Sequence, residues 1–459
     1  TLFRSTMRKL NFSFKSLLLA AGLLIGSANA WAEVTLPEAV YTQDFESAST
    51  DVGSAGSNFG ITGATLTGDG AIQTGDPIFG KYYQNIANAT DETTGSCGSN
   101  YLTITTDAFS TLKSANATAM TISFWVNPYF ANTKTNMKIS EGSMMWGDMF
   151  CARGNGTTIN SDLAFLETRI SCDTYCNANY SPSNFYYDAN DGSYRSAAWL
   201  TDGSSFADSW HHVAIVFCLD GTNNVIKHYR DGVLVRTDTK VNGGSTGTTM
   251  THMDILDLFT KFEIGGNSKL WGDSDNALAY DEIAIYGSEF SAAQIEKLID
   301  TKLGYTKVTY DIDALSAVGD LTLSETKAAS YSNVDMFVPT NCAALYDRFA
   351  FQNANTWTIA TGGLKQSSAS TGRHFALLDI KNKDKLSITF TDCDGSAAAT
   401  FKTRNTGAFA SLDDYTAITS GTEYTVSADG VAMFEIRYGV QISEVTIKTL
   451  RSEEHTSEL

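Results

Sequence analysis

Positive charge is scarce in this chain: 32 Lys and Arg stand against 51 Asp and Glu in 459 residues, a formal net charge of -19. Nucleic-acid binding needs neutralised phosphates, and no basic stripe is present to supply them, which excludes DNA and RNA as partners. Long apolar runs are absent as well: past residue 32 no stretch approaches the ~20 apolar residues of a bilayer span. Helical periodicity is confined to short segments. What is abundant instead is Thr, Ser, Gly and Asn together with 11% aromatic residues, a composition of strands and turns. The acidity suits solubility and leaves carboxylates open to a hard cation such as calcium.

The two ends read differently from the rest. Residues 1–6 and 451–459 resemble in-frame translations of sequencing-adapter DNA and are set aside as artefacts. Between them, Met7 is followed by Arg8, Lys9 and Lys15, an apolar run over 17–25, and small residues ending in Ala32. That order predicts a signal peptide over 7–32, and therefore export to the periplasm, the cell surface or the medium. A frame that runs into adapter also leaves a downstream catalytic or anchoring domain open. The remainder is long enough for two to three domains, predicted here as 33–305 and 306–450.

Seven cysteines sit in this exported chain, where disulfides persist. Their number is odd, so at least one has no partner within the chain. Cys172 with Cys176 and Cys342 with Cys393 are candidate pairs, although spacing alone does not fix connectivity. Zinc finds no second close pair and no His pair at ligand spacing.

From residue 40 to 288, short alternating runs are separated by Gly, Asn, Asp and Ser clusters. Tyr101-Leu-Thr-Ile-Thr, Thr121-Ile-Ser-Phe-Trp-Val, His212-Val-Ala-Ile-Val-Phe and Phe262-Glu-Ile are the clearest strands. Asp231-Gly232 between two such runs predicts a two-residue hairpin. Ser291 and Gln294 form a capping box ahead of Ile295, Leu298 and Ile299 on one helix face. In the last 145 residues Leu377-Leu-Asp-Ile, Lys385-Leu-Ser-Ile-Thr-Phe, Tyr424-Thr-Val, Val431-Ala-Met-Phe-Glu-Ile and Ile442-Ser-Glu-Val-Thr-Ile alternate, and Asp429-Gly430 predicts a hairpin between the third and fourth.

Four motifs occur in order: Thr121-Ile-Ser-Phe-Trp-Val-Asn-Pro128, Ser209-Trp-His-His-Val-Ala214, Tyr229-Arg-Asp-Gly232, and Leu278-Ala-Tyr-Asp-Glu-Ile-Ala-Ile-Tyr286 with Phe290-Ser-Ala-Ala-Gln-Ile295. Together the segment resembles the laminin-G-like, concanavalin-type jelly roll of secreted bacterial proteins. The resemblance implies an all-β chain: a concanavalin-like jelly-roll sandwich followed by a second, smaller β-sandwich. The latter is loosely similar to modules that end secreted polysaccharide-active proteins of Bacteroidota. It also implies a calcium ion held by Asp281 together with the N-terminal strand, here Asp44 and Glu46. Trp125 and Trp210 lie in strand motifs and are expected in the core.

Chemistry-bearing motifs are few. Jelly-roll glycanases need two carboxylates across a sugar, commonly Glu-x-Asp-x-x-Glu, and this pattern does not occur. Asp281 and Glu282 are adjacent, so a regular strand would point them to opposite faces. His-Glu-x-x-His is missing too. Gly243-Gly-Ser-Thr-Gly247 has the letters of a nucleophile elbow but lies in a Gly/Thr loop, without the strand and helix that an elbow requires. Sugar recognition needs exposed aromatic faces for pyranose C–H groups, and the loop aromatics Trp146, Tyr186, Tyr187, Tyr194, Trp199 and Trp271 are the candidates. The expectation is a secreted or cell-surface, non-catalytic binder of a polysaccharide or glycoprotein glycan. The alternatives are the non-catalytic part of a truncated glycan-degrading enzyme and a protein-binding surface adhesin.

Overall fold

A computed structural model describes residues 34–85, 100–128, 145–154, 166–172, 178–181, 186–189, 192–195, 210–220, 223–240, 253, 256–257, 259–266, 278–331, 334–353, 356–367, 373–392, 399–404, 416–426, 429–436 and 439–450. These residues are mainly antiparallel strands and divide into two compact units, Val34–Ile299 and one built on Asp300–Leu459. Among the described residues no helix is long and apolar enough to cross a membrane.

In the first unit the chain forms β1 (Ala39–Gln43), β2 (Val52–Gly53), β3 (Ala64–Thr67), β4 (Gly70–Asp76), β5 (Gly80–Asn85) and β6 (Tyr101–Thr105). After helix α1 (Ala108–Ser114) come β7 (Met120–Pro128), β8 (Met145–Arg153), β9 (Leu166–Cys172), β10 (Ala178–Ser181), β11 (Tyr186–Ala189) and β12 (Gly192–Arg195). The unit continues with β13 (His211–Asp220), β14 (Asn223–Arg230), β15 (Val233–Lys240), β16 (Lys261–Ile264), β17 (Leu278–Tyr286) and most of helix α2 (Ala292–Lys302), whose last residues lie past Ile299. Among the described residues one sheet has nine strands in the order β15-β14-β13-β7-β17-β5-β4-β2, with β1 also paired to β17, a second has six in the order β10-β9-β8-β16-β6-β3, and β11 pairs with β12.

The core lies between these sheets. Along β7, Ile122, Phe124 and Val126 alternate into it, as period 2 requires. From the six-stranded sheet Phe150 and Phe262 come to meet them: Phe124 stacks on Phe150 at 6.0 Å and Phe150 on Phe262 at 4.9 Å. Each such buried ring contributes about 1.5–3 kcal/mol of transfer free energy. A polar staple joins the sheets as well. Asn85, at the end of β5, donates to the carbonyls of Asn100 (3.0 Å) and Gly265 (2.9 Å) and accepts the Tyr83 hydroxyl at 2.7 Å. Gly265 N–H in turn donates to the Tyr280 hydroxyl at 3.0 Å. Gly265 has φ +82°, and a Cβ there would meet Asn85 Cγ at 2.5 Å, so only glycine fits beneath the amide.

Local signals read from the sequence are realised at both ends of the sheet. Asp231 (φ 50°) and Gly232 (φ 82°) turn the chain from β14 into β15. Ahead of α2, Ser291 N–H donates to Gln294 Oε1 at 2.9 Å and Gln294 N–H to Ser291 Oγ at 3.3 Å, the reciprocal capping box. Ile295 is buried against Ala214, Val216, Tyr229, Ala284, Tyr286 and Phe290, with Leu298 and Ile299 beside it, so the helix covers part of the nine-stranded sheet's outer face.

The second unit also pairs two sheets, each of seven strands among the described residues. The first runs Gly319–Asp320, Trp357–Ala360, Gly363–Gln366, Val440–Leu450, Lys385–Asp392 and Glu423–Thr425, with Tyr305–Asp311 also on Val440–Leu450. The second runs Leu323–Tyr331, Val334–Pro339, Phe349–Gln352, Arg373–Ile380, Gly430–Ile436, Ala399–Arg404 and Thr416–Ala417. Phe349, Phe351, Trp357, Phe375 and Phe434 fill the space between them. The hairpin expected at Asp429-Gly430 is not there, because the strands on either side belong to different sheets. Val426 remains bonded to the first sheet through Asp384 and Lys383, and Asp429 Oδ1 accepts Asn382 N–H at 2.7 Å. The Asp-Gly pair therefore serves a crossover between sheets, where the aspartate ties down a neighbouring turn rather than closing its own.

Candidate functional site

Because Ile122, Phe124 and Val126 point inward from β7, Ser123 and Trp125 stand on the outer face of the nine-stranded sheet. Register extends that face sideways: Trp125 lies opposite His212 of β13 on one flank and Asp281 of β17 on the other. The turn between β4 and β5 folds over the row. Asp76 Oδ1 accepts the backbone N–H groups of Ile78 and Phe79, both at 2.8 Å, which fixes the turn. Phe79 is thereby set edge-on to Trp125 at 5.1 Å and stacked against Trp210 at 4.1 Å. Tyr82 meets Trp210 nearly at right angles, 87° at 5.2 Å. The Trp210 indole N–H donates to Asp76 Oδ2 at 3.4 Å. Trp125 and Phe79 are buried in this assembly, while Trp210, Tyr82 and Asp76 are half-buried. A corner of two aromatic rings beside a carboxylate is thus held at the surface by a hydrogen-bonded turn.

Beneath the corner lies a serine-histidine pair, Ser123 Oγ and His212 Nε2 at 2.8 Å. Burial pushes the imidazole down to about 4, outweighing the opposite pull of Asp231, so His212 is neutral at pH 7. The carboxylate that would complete a triad is engaged elsewhere. Asp231 accepts the His212 backbone N–H at 3.0 Å and lies 2.7 Å from His211 Nδ1. Ser123 is 3% and His212 1% exposed, so the pair is closed off from solvent. Tyr82, above it, has its phenol raised by burial and by the charge of Asp76.

Asp281 is fully buried, at a bulge in β17 where Glu282 has φ 50°. The bulge removes the simple alternation expected for these adjacent acids. Asp44 Oδ1 accepts Glu46 N–H at 3.1 Å, and Glu46 Oε1 accepts Lys81 N–H at 3.1 Å, so both exposed carboxylates brace backbone. Among the described residues no group of three or more His, Cys, Asp or Glu is placed to hold a metal ion. Asp281, Asp44 and Glu46 therefore do not form such a three-carboxylate group by themselves.

Trp146 lies in β8, Tyr186 and Tyr187 in β11, and Tyr194 in β12, where register sets Tyr187 opposite Tyr194. Their side chains, together with Trp199, Trp271 and the 243–247 loop, lie outside the described residues. So do Cys176 and Cys393, the candidate partners of Cys172 and of the buried Cys342. The expectation that Trp125 and Trp210 are core residues is corrected. Neither belongs to the core between the sheets, and Trp210 is half-buried at the surface. Phe79, Tyr82 and Asp76 were not singled out from sequence. The available signal was the phase of β7: a tryptophan between two inward residues belongs to the other face, and that face needs a cover.

Residues 96–296 match a family model described as the concanavalin A-like lectin/glucanases superfamily, Laminin_G_3. No curated protein matches the chain. Among solved structures, a Trypanosoma rangeli sialidase in complex with 2-keto-3-deoxy-D-glycero-D-galacto-2,3-difluoro-nononic acid aligns at 13% identity and a TM-score of 0.28, over 55% of this chain. The present chain covers 32% of that sialidase's length. The botulinum neurotoxin serotype G binding domain aligns at 11% identity and a TM-score of 0.30, over 90% of this chain and 100% of that one. Likenesses this distant carry no argument about activity.

Proposed function

Taking as premise that the first unit is a laminin-G-like jelly roll, a fold of lectins and glucanases alike, we propose that the chain is an exported, non-catalytic glycan-binding protein. The observation that carries this reading is the aromatic corner of Trp210 and Tyr82 on the outer face of the nine-stranded sheet. Pyranose C–H faces pack on such rings, and fixed polar groups beside them orient hydroxyls. Asp76 is such a group, held by two backbone N–H bonds before any ligand arrives. The partner is a polysaccharide or the glycan of a glycoprotein, met in the periplasm, at the cell surface or outside the cell. A structural calcium at Asp281, completed by main-chain carbonyls, is a separate proposal, tested by whether the melting temperature rises with calcium and falls with chelator.

The function is tested by screening the full chain against a panel of immobilised glycans, then titrating any bound glycan into the wild type and Trp210→Ala. The expected loss is roughly tenfold in affinity, about 1.4 kcal/mol. An unchanged affinity in a variant that still melts cooperatively would remove the corner as the site. Binding to proteins with no glycan bound would favour the adhesin reading.

A further inference from the structure

The charges around the corner select among glycans. We infer that the Trp210–Tyr82 corner accepts neutral glycans and turns away those bearing uronate or sulfate groups, an inference that rests on the glycan-binding reading above. The carboxylate of Asp76 is part of the corner itself, bonded to the Trp210 indole, and its charge reaches the Tyr82 phenol strongly enough to help raise it. The basic side chains that follow or flank these residues in sequence have hydrogen-bond or ion-pair partners of their own. Lys81, next in sequence to Tyr82, donates its ammonium to the Ala48 carbonyl at 2.8 Å. His211 lies 2.7 Å from Asp231, and the Arg230 guanidinium 3.9 Å from the same carboxylate. Around them the chain carries a formal net charge of -19. An anionic sugar stacked on these rings therefore meets a fixed negative charge at the contact and a negative field on approach. A neutral sugar meets neither penalty, and its hydroxyls can donate to the Asp76 oxygens.

Glycan pairs that share a backbone and differ in charge make the test, hydroxyethylcellulose against carboxymethylcellulose and neutral xylan against glucuronoxylan. They are titrated into the full chain at about 20 mM and about 500 mM NaCl, where the screening length falls from roughly 20 Å to about 4 Å. The expected result is a preference for the neutral member of at least about threefold at low salt, narrowing at high salt because only the repelled ligand gains from screening. Asp76→Asn, which keeps an oxygen for the turn, is expected to raise the anionic-to-neutral binding ratio by about threefold. Anionic glycans that bind as well as neutral ones at low salt, or that weaken as salt rises, would overturn the selectivity while leaving glycan binding intact. An unchanged ratio in Asp76→Asn would overturn the role given to that carboxylate. Failure of every neutral and anionic glycan to bind would instead overturn the reading beneath it.

Discussion

Both units fill their cores with aromatic rings, but in the first the described ring contacts extend outside the core as well. In the second, the described ring-to-ring contacts join Tyr310, Phe349, Phe351, Trp357, Phe375 and Phe434, all members of the core between its sheets. In the first, a comparable core is accompanied by a separate aromatic group on the outside of one sheet, Phe79, Tyr82, Trp125 and Trp210. A β-sandwich does not require the second kind for closure. Among the described residues such a group occurs in the first unit, and it is there that we propose the binding surface.

The contrast can be broken, or sharpened, by substitution. The largest effect is expected from Trp357→Ala, which empties a 1%-exposed site and should cost about 3–5 kcal/mol in the second unit; chemical denaturation should show that transition shifted, with glycan affinity unchanged in the folded protein. Gly265→Ala places a methyl against Asn85 and forces an L-residue to positive φ, so the first unit should lose roughly 2–4 kcal/mol by the same measurement. A loss of binding beyond what unfolding explains would show that the polar staple also shapes the surface.

His212 gives a pH-dependent test. Its folded pKa of about 4 lies below the ordinary 6.5, so the unfolded chain binds the extra proton in that window. Its contribution to stability is complete above about 6.5 and is lost as pH falls toward 4, a change of about 3 kcal/mol at most. Melting curves across this range should drop, and His212→Gln should flatten them. Ser291→Ala, which removes the helix cap, should cost about 1 kcal/mol and leave glycan binding alone.

Much of the scaffold was legible because each signal was local. The strand runs at 101–105, 121–126, 212–217 and 262–264 needed only alternation, the Asp231-Gly232 turn only a residue pair with positive φ, and the α2 cap only Ser291 and Gln294. The same Asp-Gly signal misled at 429–430, where the partner of each flanking strand is set by distant chain. The surface corner was hidden for a related reason. Trp125 and Trp210 were visible as large rings, but their grouping depends on Phe79 being carried over the sheet by a turn 46 residues before Trp125 in sequence, which no local pattern encodes.

The location of the site is tested most directly by indole N–H chemical shifts of the labelled full chain during titration with a bound neutral glycan. Trp210 should shift with a dissociation constant equal to that from calorimetry, and Trp357 should stay still. A saturable shift at Trp357, or measured binding with Trp210 unmoved, would contradict a glycan site on the outer face of the first unit.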